Sequence, residues 1–115
     1  MFEKLINTVD CMPGCGVFVR HGENELAVFH LTDPDRFVVS ENACPHASGN
    51  LSAGEIIGHC VTCPVHQWKF DLETGYCAGT DDVILKRYEC RVENGVVLAD
   101  LSKPLPVPPP PKYDF

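Results

Sequence analysis

Four side chains in this sequence have the types and spacing to share a metal centre. Cys44-Pro45-His46 is followed, after sixteen intervening residues, by Cys63-Pro64-Val65-His66. In each segment a thiol and an imidazole stand two or three residues apart in a short Pro-containing stretch, so both can point into one site. The segment between them is long enough for a hairpin that brings the two loops together. Two sulfur and two nitrogen donors are also the set of a tetrahedral zinc site, and Cys60-Val61-Thr62-Cys63 offers a further Cys-x-x-Cys option. Zinc knuckles usually draw two cysteines from one loop and two histidines from another, whereas here each loop contributes one of each.

The elements that must present these loops read as β-strands. Short runs rich in Val, Ile and Phe occur at 2–6, 16–20, 26–31, 37–40, 55–62, 68–72, 83–92 and 96–101. Turn chemistry separates them: Gly22-Glu23-Asn24, Asp33-Pro34-Asp35, Glu73-Thr74-Gly75 and Glu93-Asn94-Gly95. The last is a hairpin signal, because Asn-Gly accepts positive φ at both central positions. No stretch keeps a 3.6-residue apolar period over three turns, although 51–57 has room for a single helical turn after Ser48-Gly49-Asn50. The fold class is therefore all-β. Residues 104–115 form a Pro-rich tail, which lacks the amide donors to continue a ladder and is expected as extended polyproline, loose or laid over the surface.

The ligand loops carry a wider pattern. Asn42-Ala43-Cys44-Pro45-His46 with Gly49, Leu51 and Gly54-Glu55, then Cys63-Pro64-Val65-His66 with Phe70-Asp71-Leu72 and Thr74-Gly75, resembles the two cluster loops of Rieske iron-sulfur proteins. The resemblance covers roughly residues 2–101. It implies a Rieske fold, an antiparallel sandwich-like base with an inserted cluster-binding subdomain at about 42–79, within a domain spanning 1–103. It also implies a 2Fe-2S cluster with Cys44 and Cys63 on one iron and His46 and His66 on the other. Neutral imidazoles in place of two thiolates leave the cluster less negative, which raises its potential into a family range of about -150 to +300 mV.

Within that range the resemblance points low. High-potential members of the family carry a disulfide between the two loops, at positions that correspond to Gly49 and Val65. They also place Ser and Tyr hydroxyls where this chain has Trp68 and Phe70, so two hydrogen bonds that would stabilise added negative charge on the sulfurs are missing. Gln67 departs from the pattern, since Rieske ferredoxins usually have Gly directly after the second ligand histidine. Variation there resembles the small subunits of NAD(P)H-dependent nitrite reductases.

Composition bounds the partners. The 115 residues suffice for one core and carry a formal charge of -7, from 16 acidic against 9 basic residues. Phosphate backbones and anionic membrane surfaces would be repelled, so neither nucleic acid nor membrane is an expected partner. No run approaches the ~18 apolar residues of a membrane span, and Glu3, Lys4, Asn7 and Asp10 interrupt the N-terminal segment where a signal peptide is apolar. Seven cysteines, an odd number, favour metal ligation in a reducing compartment, so the expected location is cytoplasmic.

No catalytic base, nucleophile or open metal site stands out. The expected role is electron transfer to a redox partner protein, either a reductase large subunit or an oxygenase or flavin reductase. The leading expectation is the small subunit of a nitrite reductase, and the alternatives are a free ferredoxin feeding a ring-hydroxylating oxygenase and a redox sensor or zinc-bound structural module. Cys11 and Cys15 read as incidental, Cys60 as a buried strand residue or a thiol near the cluster, and Cys77 and Cys90 as small apolar packing. His21 and His30 read as surface histidines of a turn and a strand, and His59 as a histidine close enough to the loops to tempt a ligand assignment but not expected to be one. Trp68 is either an electron-transfer contact or a packing residue.

Overall fold

The computed structural model describes residues 1–32, 34–44, 49–65, 67–77 and 80–108, with the backbone alone at 80–82. Asp33 of the predicted turn, Ser48, His46 and His66 of the expected ligand set, and the tail from Pro109 onward lie outside the described residues.

Twelve strands form three antiparallel sheets among the described residues. A three-stranded sheet orders β1 (Phe2–Asn7), β12 (Val96–Asp100) and β11 (Cys90–Glu93) as β1-β12-β11. A four-stranded sheet runs β10-β4-β3-β2, from β2 (Gly16–His21), β3 (Asn24–Leu31), β4 (Arg36–Glu41) and β10 (Arg87–Tyr88). The third sheet runs in chain order through β5 (Glu55–Ile57), β6 (Cys60–Thr62), β7 (Lys69–Asp71), β8 (Tyr76–Cys77) and β9 (Thr80–Ile84). The expected all-β class holds.

Strand β3 explains how the sheets stack. Successive side chains of a strand point to opposite faces, and here both faces are covered: Leu26 to Leu31 are all buried. Val28 joins Val39, Cys11, Val97 and Ala99 in the core between the three- and four-stranded sheets. Ala27, Phe29 and Leu31 face the other way, into a second core with Leu51, Val61, Phe70, Leu72, Cys77 and Leu85 of the small-sheet side. The strand that closes the sandwich is thus also the floor on which the ligand loops rest.

The Asn94-Gly95 signal is realised as a two-residue hairpin. Glu93 pairs with Val96, and Asn94 and Gly95 have φ of 51° and 75°, the type I′ arrangement that matches strand twist. Two predicted runs break up. Residues 55–62 fold back on themselves at Gly58, which takes the left-handed φ of 62°, and Ile57 pairs with Cys60. Residues 83–92 supply part of β9 and all of β10 and most of β11, one segment of each sheet. The helical turn expected within 51–57 is a single 3-10 turn, Leu51–Ala53.

The tail lies over the domain as far as it is described. The Leu105 amide donates to the Arg87 carbonyl at 2.7 Å, and the Tyr76 hydroxyl donates to the Pro108 carbonyl at 2.7 Å. Among the described residues no helix is long and apolar enough to cross a membrane.

Candidate metal centre

Each predicted cysteine ligand sits on a loop closed by backbone hydrogen bonds. In the first loop the Cys44 amide donates to the Gly49 carbonyl at 2.9 Å, and the Leu51 amide to the Asn42 carbonyl at 3.0 Å. Ala43 bridges Asn50, and the Asn42 side-chain oxygen accepts from the Ser52 amide at 3.0 Å. In the second loop the Cys63 amide donates to the Trp68 carbonyl at 2.6 Å. Gln67 holds φ of 62° inside that turn, a left-handed conformation that costs an ordinary L-residue ~1–2 kcal/mol. Such a turn accounts physically for the glycine that the ferredoxin pattern has at this position.

The structure brings Cys44 and Cys63 together and buries both, at 1% and 0% exposure. Burial pushes the Cys63 thiol up, a backbone hydrogen bond from Val65 opposes the shift, and the adjoining Cys44 thiol adds to it. Cys77 lies in the same core, its thiol raised by burial first and by the charge of Cys44 second. His46 and His66 lie outside the described residues, so the sulfur half of the expected ligand set is the half that the structure describes.

Two observations test whether the site suits a cluster. A side-chain carbon built on Gly49 would stand 2.8 Å from Cys63 Sγ and 2.9 Å from Val65 Cγ2. The first loop therefore crosses the second at a distance only glycine allows, as a metal group shared between both loops requires. The donor chemistry agrees, because two buried thiols converge from loops that each carry one further histidine. The residues present fit the group.

Phe70 is fully buried and Trp68 is half-buried against the loop-side core, so both pack. Cys60 does not form a knuckle with Cys63. It pairs with Asp71 across β6 and β7, while Val61 and Cys63 point the other way into the core. Alternation along the strand thus separates the two thiols and removes the Cys-x-x-Cys zinc option. Cys77 packs as expected, and the Cys90 thiol reaches the Phe37 carbonyl at 3.1 Å. Cys11 is buried and Cys15 is exposed.

His30 is a correction, for it is buried rather than at the surface. Its Nδ1 contacts the Cys11 carbonyl at 2.8 Å, its Nε2 meets Asp35, and its ring stacks on Phe37 with centroids 4.2 Å apart. The loop from Cys11 to Cys15 covers it, and the signal for this was the position of His30 within an otherwise apolar central strand.

A two-sheet base carrying a third sheet of short strands, with two tightly closed loops presenting buried thiols to one another, fits an iron-sulfur protein of the electron-transfer class. The chain belongs to the Rieske-like [2Fe-2S] domain family, which matches residues 1–100, and it carries a Rieske 2Fe-2S cluster. It is 36% identical over 80 residues to the naphthalene 1,2-dioxygenase system ferredoxin component of Pseudomonas putida, covering 68% of this chain and 74% of that protein. It is 31% identical over 101 residues to the nitrite reductase (NADH) small subunit of Salmonella typhimurium, covering 84% of this chain and 94% of that one. Among solved structures, the complex of reduced oxygenase and oxidised ferredoxin in carbazole 1,9a-dioxygenase matches with a TM-score of 0.78 and 30% identity over 91% of this chain and 97% of that chain. Of a cholesterol 7-desaturase from Hemicentrotus pulcherrimus, by contrast, the chain spans only 16%.

Proposed function

We propose that Cys44, His46, Cys63 and His66 hold the cluster, and that the chain passes single electrons as the small subunit of an NAD(P)H-dependent nitrite reductase or a similar reductase. The observation that carries the ligand assignment is the burial of Cys44 and Cys63 together beneath the Gly49 crossing. When bound, the cluster accepts and returns one electron at a time. Val61, Phe70 and Leu72 exclude water from the side of the site facing β3. Pro64, Val65 and Gln67 are exposed on the other side, where a partner protein can approach. Residues 42–79 form the cluster subdomain of a 1–103 domain, and 104–115 is an appended tail. The acidic surface and the odd count of seven cysteines suit a cytoplasmic carrier that docks on a basic partner face.

Gln67 in the left-handed turn, where Rieske ferredoxins usually have Gly, favours the reductase reading. The second reading, a free ferredoxin supplying a ring-hydroxylating oxygenase, is favoured by the higher identity to the naphthalene dioxygenase component. Anaerobic purification followed by EPR of the dithionite-reduced protein tests the ligand set. Equal iron and sulfide with a rhombic signal of low average g is expected, and that signal should change in His46→Cys and His66→Cys variants. Unchanged spectra in those variants would remove the imidazoles from the site. Single-turnover reoxidation by a siroheme nitrite reductase, but not by an aromatic-ring oxygenase, separates the two partner readings.

A further inference from the structure

The hairpin joining β5 to β6 turns through Gly58-His59, and the Leu72 amide donates to the His59 carbonyl at 2.8 Å, fixing the turn against the end of β7. Cys60 and Asp71 are directly paired across β6 and β7, so their side chains emerge on the same face. That is the face turned away from Val61 and Cys63. One donor atom each from His59, Cys60 and Asp71 lie within 4.8 Å of one another. His59 Nε2 is already 3.4 Å from Asp71 Oδ2. Zinc bonds of about 2.0–2.3 Å in a tetrahedron put neighbouring donors about 3.3–3.7 Å apart. No separation among the three therefore has to close by more than about 1 Å, within reach of small side-chain rotations.

Supporting groups are in place around these three. The Glu73 amide donates to Asp71 Oδ1 at 2.8 Å, while Oδ2 faces His59. Glu73 Oε1 stands 4.0 Å from His59 Nδ1, the position from which a carboxylate orients a metal-bound imidazole. Arg36 pairs with Glu73, and Arg87 and Lys69 act on Asp71 and Cys60 respectively. The two arginines compete with a metal ion for the carboxylates, whereas Lys69 favours the thiolate that a metal ion would take.

We propose that His59, Cys60 and Asp71 form a second metal site, separate from the cluster loops, that takes one Zn²⁺ with water in the fourth position. A mixed nitrogen, sulfur and oxygen set selects a borderline ion and disfavours Ca²⁺ and Mg²⁺, which take oxygen. Binding displaces the Cys60 thiol proton to solvent, and the sulfur and imidazole lone pairs fill two zinc positions. The three donors link a hairpin tip to β7, so the ion would staple the β5–β6 turn to β7 on the face of the five-stranded sheet turned away from Val61.

The test uses the full chain, purified anaerobically with its cluster intact and titrated with Zn²⁺ against a chromophoric indicator. One equivalent should bind without loss of the visible and EPR spectra of the cluster. X-ray absorption at the zinc edge should show one sulfur neighbour at about 2.3 Å. His59→Ala and Cys60→Ser should each weaken binding by roughly tenfold or more, while Cys15→Ser, a change at an exposed thiol outside the site, should leave it unaltered. Cluster spectra retained in the variants show that they have folded. Binding that is absent, or indifferent to both substitutions, or present only as the cluster signals disappear, overturns the proposal. The last outcome would place the zinc on Cys44 and Cys63 instead.

Discussion

Gly54→Ala isolates the steric demand of the second ligand loop. Gly54 has φ of -74° and ψ of 158°, extended backbone that alanine adopts without strain. The added methyl would stand 2.2 Å from the Thr62 carbonyl oxygen, 2.9 Å from Val61 Cγ2 and 3.1 Å from the Leu51 carbonyl. Carbon-oxygen contacts settle at about 3.3–3.6 Å, so β6 must retreat by about 1 Å. Its next residue is Cys63, and the ligand moves with it. Overpacking costs about 1–3 kcal/mol, and a backbone obstacle that cannot rotate away puts this change near the upper end, roughly a hundredfold in the folding equilibrium. Gly58→Ala is the control with the opposite cause. It meets nothing within 4 Å but sits at φ of 62°, so its cost is conformational, about 1–2 kcal/mol, and it leaves Cys63 where it is. Urea midpoints and iron per chain measured on both variants check the reasoning. Gly54→Ala should lose both stability and iron, Gly58→Ala stability alone. Equal midpoints with full iron in both would refute the crowding argument.

Gly49→Ala should cost about 1–3 kcal/mol and lower the iron content, because its methyl meets Cys63 Sγ at 2.8 Å. Adding Val65→Ala relieves only the valine contact and should not restore the iron. Gln67→Gly should raise the denaturation midpoint by about 1 kcal/mol of stability, since it removes the side chain from a left-handed φ; an unchanged midpoint would show that other contacts of Gln67 offset the strain. Glu41 supplies a pH prediction. Burial pushes its carboxyl up, against the Lys86 amide hydrogen bond and the Lys86 charge. The folded state therefore holds the proton more tightly than the unfolded chain does. This contribution is fully present below the ordinary glutamate value and is lost as pH rises through the raised folded value. Glu41→Gln should be more stable than the parent at neutral pH, with the difference vanishing in acid, as thermal midpoints measured across pH will show.

Most strands, and the cysteines that the structure brings together, were legible in the sequence because they rest on local chemistry. Cysteine spacing, Pro-containing loops and the Asn94-Gly95 turn need no knowledge of distant partners. What was not legible is which sheet each strand joins. Residues 83–92 read as one apolar run, yet Leu85, Lys86 and Glu89 step out of the ladders. The Leu85 amide bonds the Gly75 carbonyl, the Lys86 carbonyl accepts from Glu41, and the Glu89 carbonyl accepts from Asp100. Period-two alternation reports that a segment is extended but not which neighbour it pairs with. The burial of His30 escaped notice for a related reason, because the cover comes from the Cys11 to Cys15 loop nineteen residues or fewer upstream. Cys60 was legible as a strand residue, but its separation from Cys63 followed only once the Cys60 to Asp71 register placed it on the opposite face.

The path of that single run also constrains how the protein can work. Within a few residues the chain leaves the small sheet at β9, crosses the four-stranded sheet at β10 and enters the three-stranded sheet at β11. Strand β3 meanwhile contributes side chains to both cores. The ligand loops are therefore tied to the base by a covalent path through all three sheets and by a shared floor, and Gly16 admits no side chain because the Ser52 carbonyl and the Phe29 ring come within 2.9 Å of where one would begin. A frame tied at so many points is expected to hold Cys44 and Cys63 in place, which would keep the reorganisation accompanying electron transfer small. Partner choice is then expected in what the loops expose, namely Pro64, Val65 and Gln67, side chains that can vary without displacing the packed strands behind them.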